Sequence, residues 1–413
     1  MKKYVWIIVI FSLLTIVVTF PLSFKTTTHF PGFFSSDENF APLWDSWRIN
    51  HSFHNNISFR YTPLIAYPFG WDLYNSGYWS YLWMVVFYFL SILTTPALTY
   101  NIQVLVNLSL SGIVTYMLVV YLTKKRLSAL LSGAIFAFCP YQFMRGWQHL
   151  SLTYSQWIPL CLLTMILLRS QVTKRNFILF LLSLLLLLSF DYSIMYLGGI
   201  TSACFFIYGI IFQVKKRFLK EKSFLPEDKK FIKNIFIAVF FVMVVLTPQF
   251  FSVIKNRLKL SRLSSPSVFN PYRRSFDDLF SQSAKPLSYF LPASVHPIFG
   301  KLAEDFIGTE WYGDSFTEHT LYLGWVPLVL AFVAFRRWRR MRKEKKGLGP
   351  DSPCDRDGFY IGFFVFLAAA AWLFSQPPWW DIFGFKIYMP SFFMYKILPM
   401  FRAYCRFGIV VML

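Results

Sequence analysis

The chain reads as an all-α, polytopic bundle of transmembrane helices, and three observations lead there. Its 413 residues are 56% hydrophobic and 21% aromatic but only 15% charged, a membrane rather than a soluble composition. Apolar stretches of spanning length recur along it, since about 20 residues at 1.5 Å each cross a hydrocarbon core of about 30 Å. The Lys and Arg clusters fall between these stretches, at Lys124–Arg126, Arg169–Arg175, Lys215–Lys233 and Arg336–Lys346. That pattern is positive-inside topology, so the net charge of +21 does not signal a nucleic-acid partner. Residues 1–413 then form one membrane domain.

About ten spans are predicted. The first, 4–24, follows Lys2 and Lys3, which hold the N-terminus in the cytoplasm. No Ala-x-Ala-like site follows it, so it is read as a retained anchor and not a signal peptide. The others are 100–122, 127–140, 154–169, 177–190, 193–213, 233–251, 319–335, 359–375 and a last one from Tyr404. Trp79–Thr95 is also apolar, but a crossing there would turn every later basic cluster outward. It is therefore expected to be a re-entrant or interfacial helix, which its Trp and Tyr content suits. This topology places 25 of the 41 basic residues inside with only 7 of the 20 acids. Two long extracytoplasmic loops result, 25–99 and 252–318, and long loops on a rigid bundle are where sites tend to lie. The location implied is a multi-pass plasma-membrane protein.

The five cysteines are scattered and show no metal-type spacing, so neither a zinc site nor a disulfide framework is indicated. The feature that points most directly to chemistry is Asp37-Glu38, two adjacent carboxylates in the first outer loop. The run Asp37-Glu38-Asn39-Phe40-Ala41, the later Tyr67-Pro68-Phe69-Gly70-Trp71-Asp72 and the alternating spans resemble the GT-C integral-membrane glycosyltransferases. Three further segments are similar to their bacterial YfhO-like branch: Ser288–Pro297, Tyr322–Leu328 and Leu398–Phe407. The resemblance covers most of the chain. It implies a polyprenyl-phosphate-linked sugar as donor, a glycan or polyol-phosphate acceptor of the teichoic-acid type, and an acid of the first outer loop serving the acceptor or a metal. Oligosaccharyltransferase subunits of that superfamily carry an Asp-x-Asp-like motif in the second outer loop, where Phe143–His149 here holds no acid, so no divalent metal is assigned. Such families also continue for more spans, and this chain is expected to be a C-terminally truncated piece.

Sugar transfer from a lipid phosphate needs a base for the acceptor hydroxyl and positive charge for the departing phosphate. Asp37, supported by Glu38, is the expected base. Arg402 and Arg406, spaced i, i+4 on a helix predicted after Pro399, are the expected phosphate clamp. Snorkelling at the interface is the plainer role for that pair. Lys255, Arg257, Lys259, Arg262, Arg273 and Arg274 form a second basic set, suited to anionic headgroups or to guiding a lipid phosphate. Arg145 and His149, in the short second outer loop, are possible substrate contacts that could approach Asp37. Asp191 reads as the N-cap of the next helix. A transporter or flippase for a lipid-linked glycan is the alternative; it would depend on charges distributed through the spans.

Overall fold

The fold is given by a computed structural model, which describes residues 2–32, 37–58, 61–65, 67–72, 81–218, 228–262, 274–293, 296, 298–307, 318–344 and 353–413. Its helices are α1 Lys2–Val18, α2 Asp37–His54, α3 Tyr81–Leu93, α4 Pro96–Thr123, α5 Arg126–Ala137, α6 Pro140–Gln148, α7 Trp157–Ser170 and α8 Lys174–Phe190. They continue with α9 Tyr192–Phe218, α10 Asp228–Arg262, α11 Asp278–Ser281, α12 Gly300–Ile307, α13 Trp325–Glu344, α14 Pro353–Ser375, α15 Pro390–Ile397 and α16 Gly408–Met412. Among the described residues, strands are confined to two antiparallel hairpins, β1 Tyr61–Thr62 with β2 Trp71–Asp72, and β3 Trp379–Ile382 with β4 Phe385–Tyr388.

Local chemistry sets the helix ends. Thr95 caps α4 by accepting from the Leu98 amide, Pro96 occupies its first turn, and Lys124 closes it in a left-handed conformation. Thr173 caps α8, and Asp191 Oδ1 accepts from the amides of Ser193 and Ile194 at 2.7 and 3.0 Å to start α9. The reading of Asp191 as a cap is thus correct.

Among the described residues six helical stretches are long and apolar enough to cross a bilayer: Pro96–Thr123, Arg126–Gln148, Leu150–Ser170, Tyr192–Lys216, Lys229–Pro248 and Gly358–Ser375. Four of the ten predicted spans are not among them, each for a visible reason. The apolar part of α1 is Val5–Val18, and α8 has 17 residues. The second half of α13 is Arg- and Lys-rich, and after Tyr404 the chain forms only a 3-10 turn and the five-residue α16. The 13-residue α3 is about 20 Å long, shorter than the hydrocarbon core.

The helices alternate in direction. Tyr121 near the end of α4 donates to Ser170 at the end of α7, and Arg169 lies over Phe231 at the start of α10. Here the chain gathers the basic clusters, and we call this the basic end. At the opposite, loop end, the segments following α10 and α14 are joined through Ala284 N to Ser375 O (2.8 Å), Tyr289 OH to Ser375 Oγ (2.8 Å) and Cys405 N to Gln282 O (3.2 Å).

The main core lies among α7, α8, α9, α10 and α14, with Leu187, Ile194, Phe205 and Phe363 fully enclosed. Between α4 and α7 the chain passes through a 3-10 stretch, 150–156, whose side chains are buried and cross-linked by polar contacts. Asn107 donates to Thr153 (2.7 Å) and accepts from Gln156 (2.8 Å), while Tyr154 donates to Gln103 (2.8 Å). Buried polar groups are costly unless paired, so this network fixes how the two elements register.

Helices α1, α4 and α5 meet at two glycines. A β-carbon on Gly133 would lie 2.6 Å from the Gly112 carbonyl oxygen and 2.6 Å from the Phe11 ring. Gly199, in the middle of α9, has nothing within 4 Å of that position. Gly133→Ala is therefore expected to lower the thermal stability of the detergent-solubilised protein by about 1–3 kcal/mol through overpacking. Gly199→Ala should be neutral or raise it by up to about 1 kcal/mol, and a melting series comparing the two checks this.

Candidate functional site

The strongest concentration of charge in the interior is assembled at the loop end from three parts of the chain. The first is α6, which Pro140 starts afresh after the break at Phe138–Cys139. It carries Arg145 near its end, one turn beyond Tyr141, over whose ring the guanidinium sits at 4.6 Å. The second is the segment 318–324 ahead of α13, which supplies Glu318. The third is the 3-10 turn Tyr404–Phe407, which supplies Cys405 and Arg406.

Glu318 is the hub. Its Oε2 accepts from Arg145 Nη2 at 2.7 Å and from Cys405 Sγ at 3.1 Å. Its Oε1 accepts from Arg406 Nη2 at 2.6 Å and Nε at 3.0 Å, and His149 Nε2 lies 3.4 Å away. Arg406 Nη1 also donates to Ser193 Oγ at 3.0 Å, in the turn that Asp191 caps. The side chains of Arg145 and Glu318 are 0% and 4% exposed, whereas Arg406 and His149 keep 17% and 19%. The constellation thus has a closed floor and a partly open edge.

Burial alone would raise the pKa of Glu318, but Arg145 and Arg406 reverse this and hold it well below the ordinary carboxylate range. Burial lowers the pKa of His149 more than the neighbouring carboxylate raises it, and Arg406 adds to the lowering. At neutral pH the described part of the cluster therefore holds two guanidiniums, one carboxylate and a neutral imidazole.

A second tier adjoins it. His319 Nε2 lies 2.9 Å from the Ser281 carbonyl oxygen, and burial together with Lys285 pushes its pKa down to about 4. Burial also lowers that of Lys285, whose ammonium donates to Phe280 O at 3.4 Å. Arg402 pairs with Asp278 at 2.9 Å, half-exposed.

Of the residues singled out from the sequence, Arg145, His149 and Arg406 come together. The expectation that Arg402 and Arg406 project from one helix face is corrected. Residues 401–403 are not helical, Ala403 having φ −89° and ψ 71°, so the two guanidiniums reach different acids. Arg274 is held by its backbone, its amide donating to Pro399 O and its carbonyl accepting from Tyr395 OH. Arg273 and the side chains of Arg257, Asp37 and Glu38 lie outside the described residues.

Asp37 and Glu38 form the first turn of α2, and Gly32 ahead of it lies close to the last turn of α6. Asn39 Nδ2 lies 3.5 Å from Pro31 O, and a β-carbon on Gly32 would meet the Asn39 amide and, at 2.9 Å, the Trp147 carbonyl oxygen. Gly32 has φ +134°, which a side chain would strain. Among the described residues no three His, Cys, Asp or Glu side chains converge to hold a metal ion.

Sequence reasoning missed Glu318 and Cys405. The available signal was an acid directly abutting a predicted span, a costly place for a charge without a partner. Comparisons with family models, with curated proteins and with solved structures find no match to this chain.

Glu318→Gln leaves two guanidiniums sharing a neutral partner and is expected to cost about 3 kcal/mol or more, read as a lower melting temperature in detergent. Because the folded pKa of Glu318 is depressed, its contribution is fully present above the unfolded value of 4.5 and is lost as pH falls through the folded one. The gap between wild type and variant should stay constant from about pH 6 to 8 and close only below about pH 4.5.

Proposed function

We propose that the chain is an integral-membrane glycosyltransferase. It would move a sugar from a polyprenyl-phosphate donor to an envelope glycan or teichoic-acid-type acceptor, with its loop end facing the extracytoplasmic side and its N-terminus in the cytoplasm. The observation that carries the reading is the partly open cluster of Arg145, Arg406 and His149 around Glu318, near which Gly32 lies close to both Asn39 of α2 and the Trp147 carbonyl of α6. The likeness of the Asp37–Ala41 and Leu398–Phe407 segments to the GT-C glycosyltransferases supports it further.

In this reaction the acceptor hydroxyl oxygen bonds to the anomeric carbon as the bond from that carbon to the phosphate oxygen breaks. The hydroxyl proton passes to a carboxylate, Asp37 with Glu38 orienting the acceptor, and the electron pair leaves with the phosphate. A phosphate is already a good leaving group, so charge neutralisation by Arg406 takes the place of a general acid. Arg402, Arg274, Arg273 and Arg257 draw the anionic head toward the site from the membrane surface.

Transfer assayed in membranes supplied with lipid-linked sugar should fall about a hundred-fold or more in Asp37→Asn or Glu38→Gln, with protein levels unchanged. Arg406→Lys keeps the charge but loses the bidentate fork, and should lower kcat/KM for the lipid donor more than for the acceptor. If both carboxylate variants transfer at the wild-type rate, the transferase reading fails and translocation of the lipid-linked glycan becomes the better account.

A further inference from the structure

Between α14 and the 3-10 turn that carries Arg406, the β3–β4 hairpin sorts its side chains onto two faces by its register. Trp379 opposes Tyr388 and Asp381 opposes Lys386 on one face, while Trp380 opposes Ile387 and Ile382 opposes Phe385 on the other. The first face is docked on the protein. Trp379 stacks on Phe276 at 5.6 Å and meets Phe280 at 4.8 Å, with the Lys386 ammonium over its ring at 4.7 Å. The second face is packed at its base, where Trp380 meets Trp372 of α14 edge to face at 5.6 Å. Beyond that contact Ile382, Phe385 and Ile387 are all exposed, Phe385 to 77%.

The tip carries a residue that the turn does not call for. Pairing of Ile382 with Phe385 leaves a two-residue turn, Phe383-Gly384, with φ +52° and +83°. Two left-handed residues in succession make the hairpin turn that Asn-Gly suits best, and a bulky ring is strained at its first position. Asp381 Oδ1 accepts from the Gly384 amide at 3.0 Å and holds the turn closed. The Phe383 ring gains little from the rest of the chain in return, being 97% exposed. A strained aromatic ring held out at a tip has its use outside the chain.

Helix α14 indicates what covers this face. Its exposed positions Val365, Ala369 and Leu373 recur in steps of four, and Trp372, seven beyond Val365, belongs to the same stripe. The stripe lies on a helix of spanning length and apolar composition, so it is turned to lipid. Trp372 stands within a turn of the helix end at Ser375, at the depth where Trp rings settle. Through Trp372 and Trp380 the open hairpin face continues the lipid-facing surface. It cannot go deep, because the outer edges of a two-stranded hairpin leave backbone amides and carbonyls that need water or headgroups. We propose that the β3–β4 hairpin is an interfacial anchor, its Ile382, Phe383, Phe385 and Ile387 side chains inserted at the boundary between headgroups and acyl chains of the leaflet at the loop end. Lys386 and Lys396, whose ammonium lies over Phe392 of α15 at 4.4 Å, stay at headgroup level. The chain runs on from β4 through α15 to Arg402 and Arg406, and Tyr395 OH and Pro399 O hold the backbone of Arg274. The anchor therefore sets the height of this whole segment above the bilayer.

The test places an environment-sensitive fluorescent amino acid singly at Phe383, Phe385, Lys386 or Ile387 of the full chain, in phosphatidylcholine vesicles doped with brominated lipid. Quenching at 383, 385 and 387 should exceed that at 386 about three-fold or more, following the alternation of the strand. Bromines near the headgroup should quench better than bromines in the middle of the acyl chain. Phe383→Asn supplies the residue that the turn prefers, so the hairpin is kept while the tip loses its apolar ring. Quenching of the probe at 385 should then fall about two-fold or more. Equal quenching at 385 and 386, none at 383 and 385, stronger quenching by the deep bromines, or quenching at 385 unchanged by Phe383→Asn would each overturn the proposal. So would energy transfer between donor- and acceptor-labelled copies at 383 that survives dilution with excess lipid, which would put a second copy of the chain on this face. The readout is the position of the hairpin, so no outcome bears on the transferase reading.

Discussion

The arrangement of the loop end rests on a single carboxylate shared by two guanidiniums. Glu318 draws α6, the segment ahead of α13 and the 3-10 turn after α15 to one point, through contacts between residues 173 and 88 positions apart. None of these charges is tolerable alone at that burial. Two positive partners on one acid keep the acid ionised, which a neutral hydrogen-bond network at the same place could not do. The same contacts tie three parts of the loop end together.

Away from that point the bundle is held by shape and by neutral polar pairs. Asn107, Gln156, Gln103 and Tyr154 fix the 3-10 stretch against α4, and the Gly112–Gly133 crossing lets α4 and α5 approach as closely as backbones allow. Between helices surrounded by lipid there is little hydrophobic driving force, so close approach and internal hydrogen bonds carry more of the association.

The helical class and the placement of the basic clusters at helix ends were legible because they depend on composition and period. Asp191 was readable as a cap for the same reason, since capping is a local matter of one side chain and the next turn. The span count was less so: α1 ends at Val18, short of the predicted 24, α8 is a 17-residue helix, and α13 changes character halfway. The site was legible only in part. Arg145, His149 and Arg406 stand out as charges beside apolar sequence, but their meeting at Glu318 is a tertiary fact that spacing does not encode. The helix assumed after Pro399 failed because Leu398–Ala403 bonds instead to the segment from Arg274. The side chains of Asp37 and Glu38, on which the chemical reading first rested, lie outside what the structure describes.

The order in which these charges emerge during synthesis has a consequence of its own. Arg145 is made early, within a stretch apolar enough to be inserted as a helix, yet its acid follows only after α7 to α10. The second guanidinium arrives near residue 406. A nascent chain that has emerged only through α9 therefore carries Arg145 before Glu318 exists to accept from it. Until Glu318 appears, the contact that joins α6 to the segment ahead of α13 cannot form. The break at Phe138–Cys139, which separates α6 from α5, lets the short helix end on a course of its own toward Glu318.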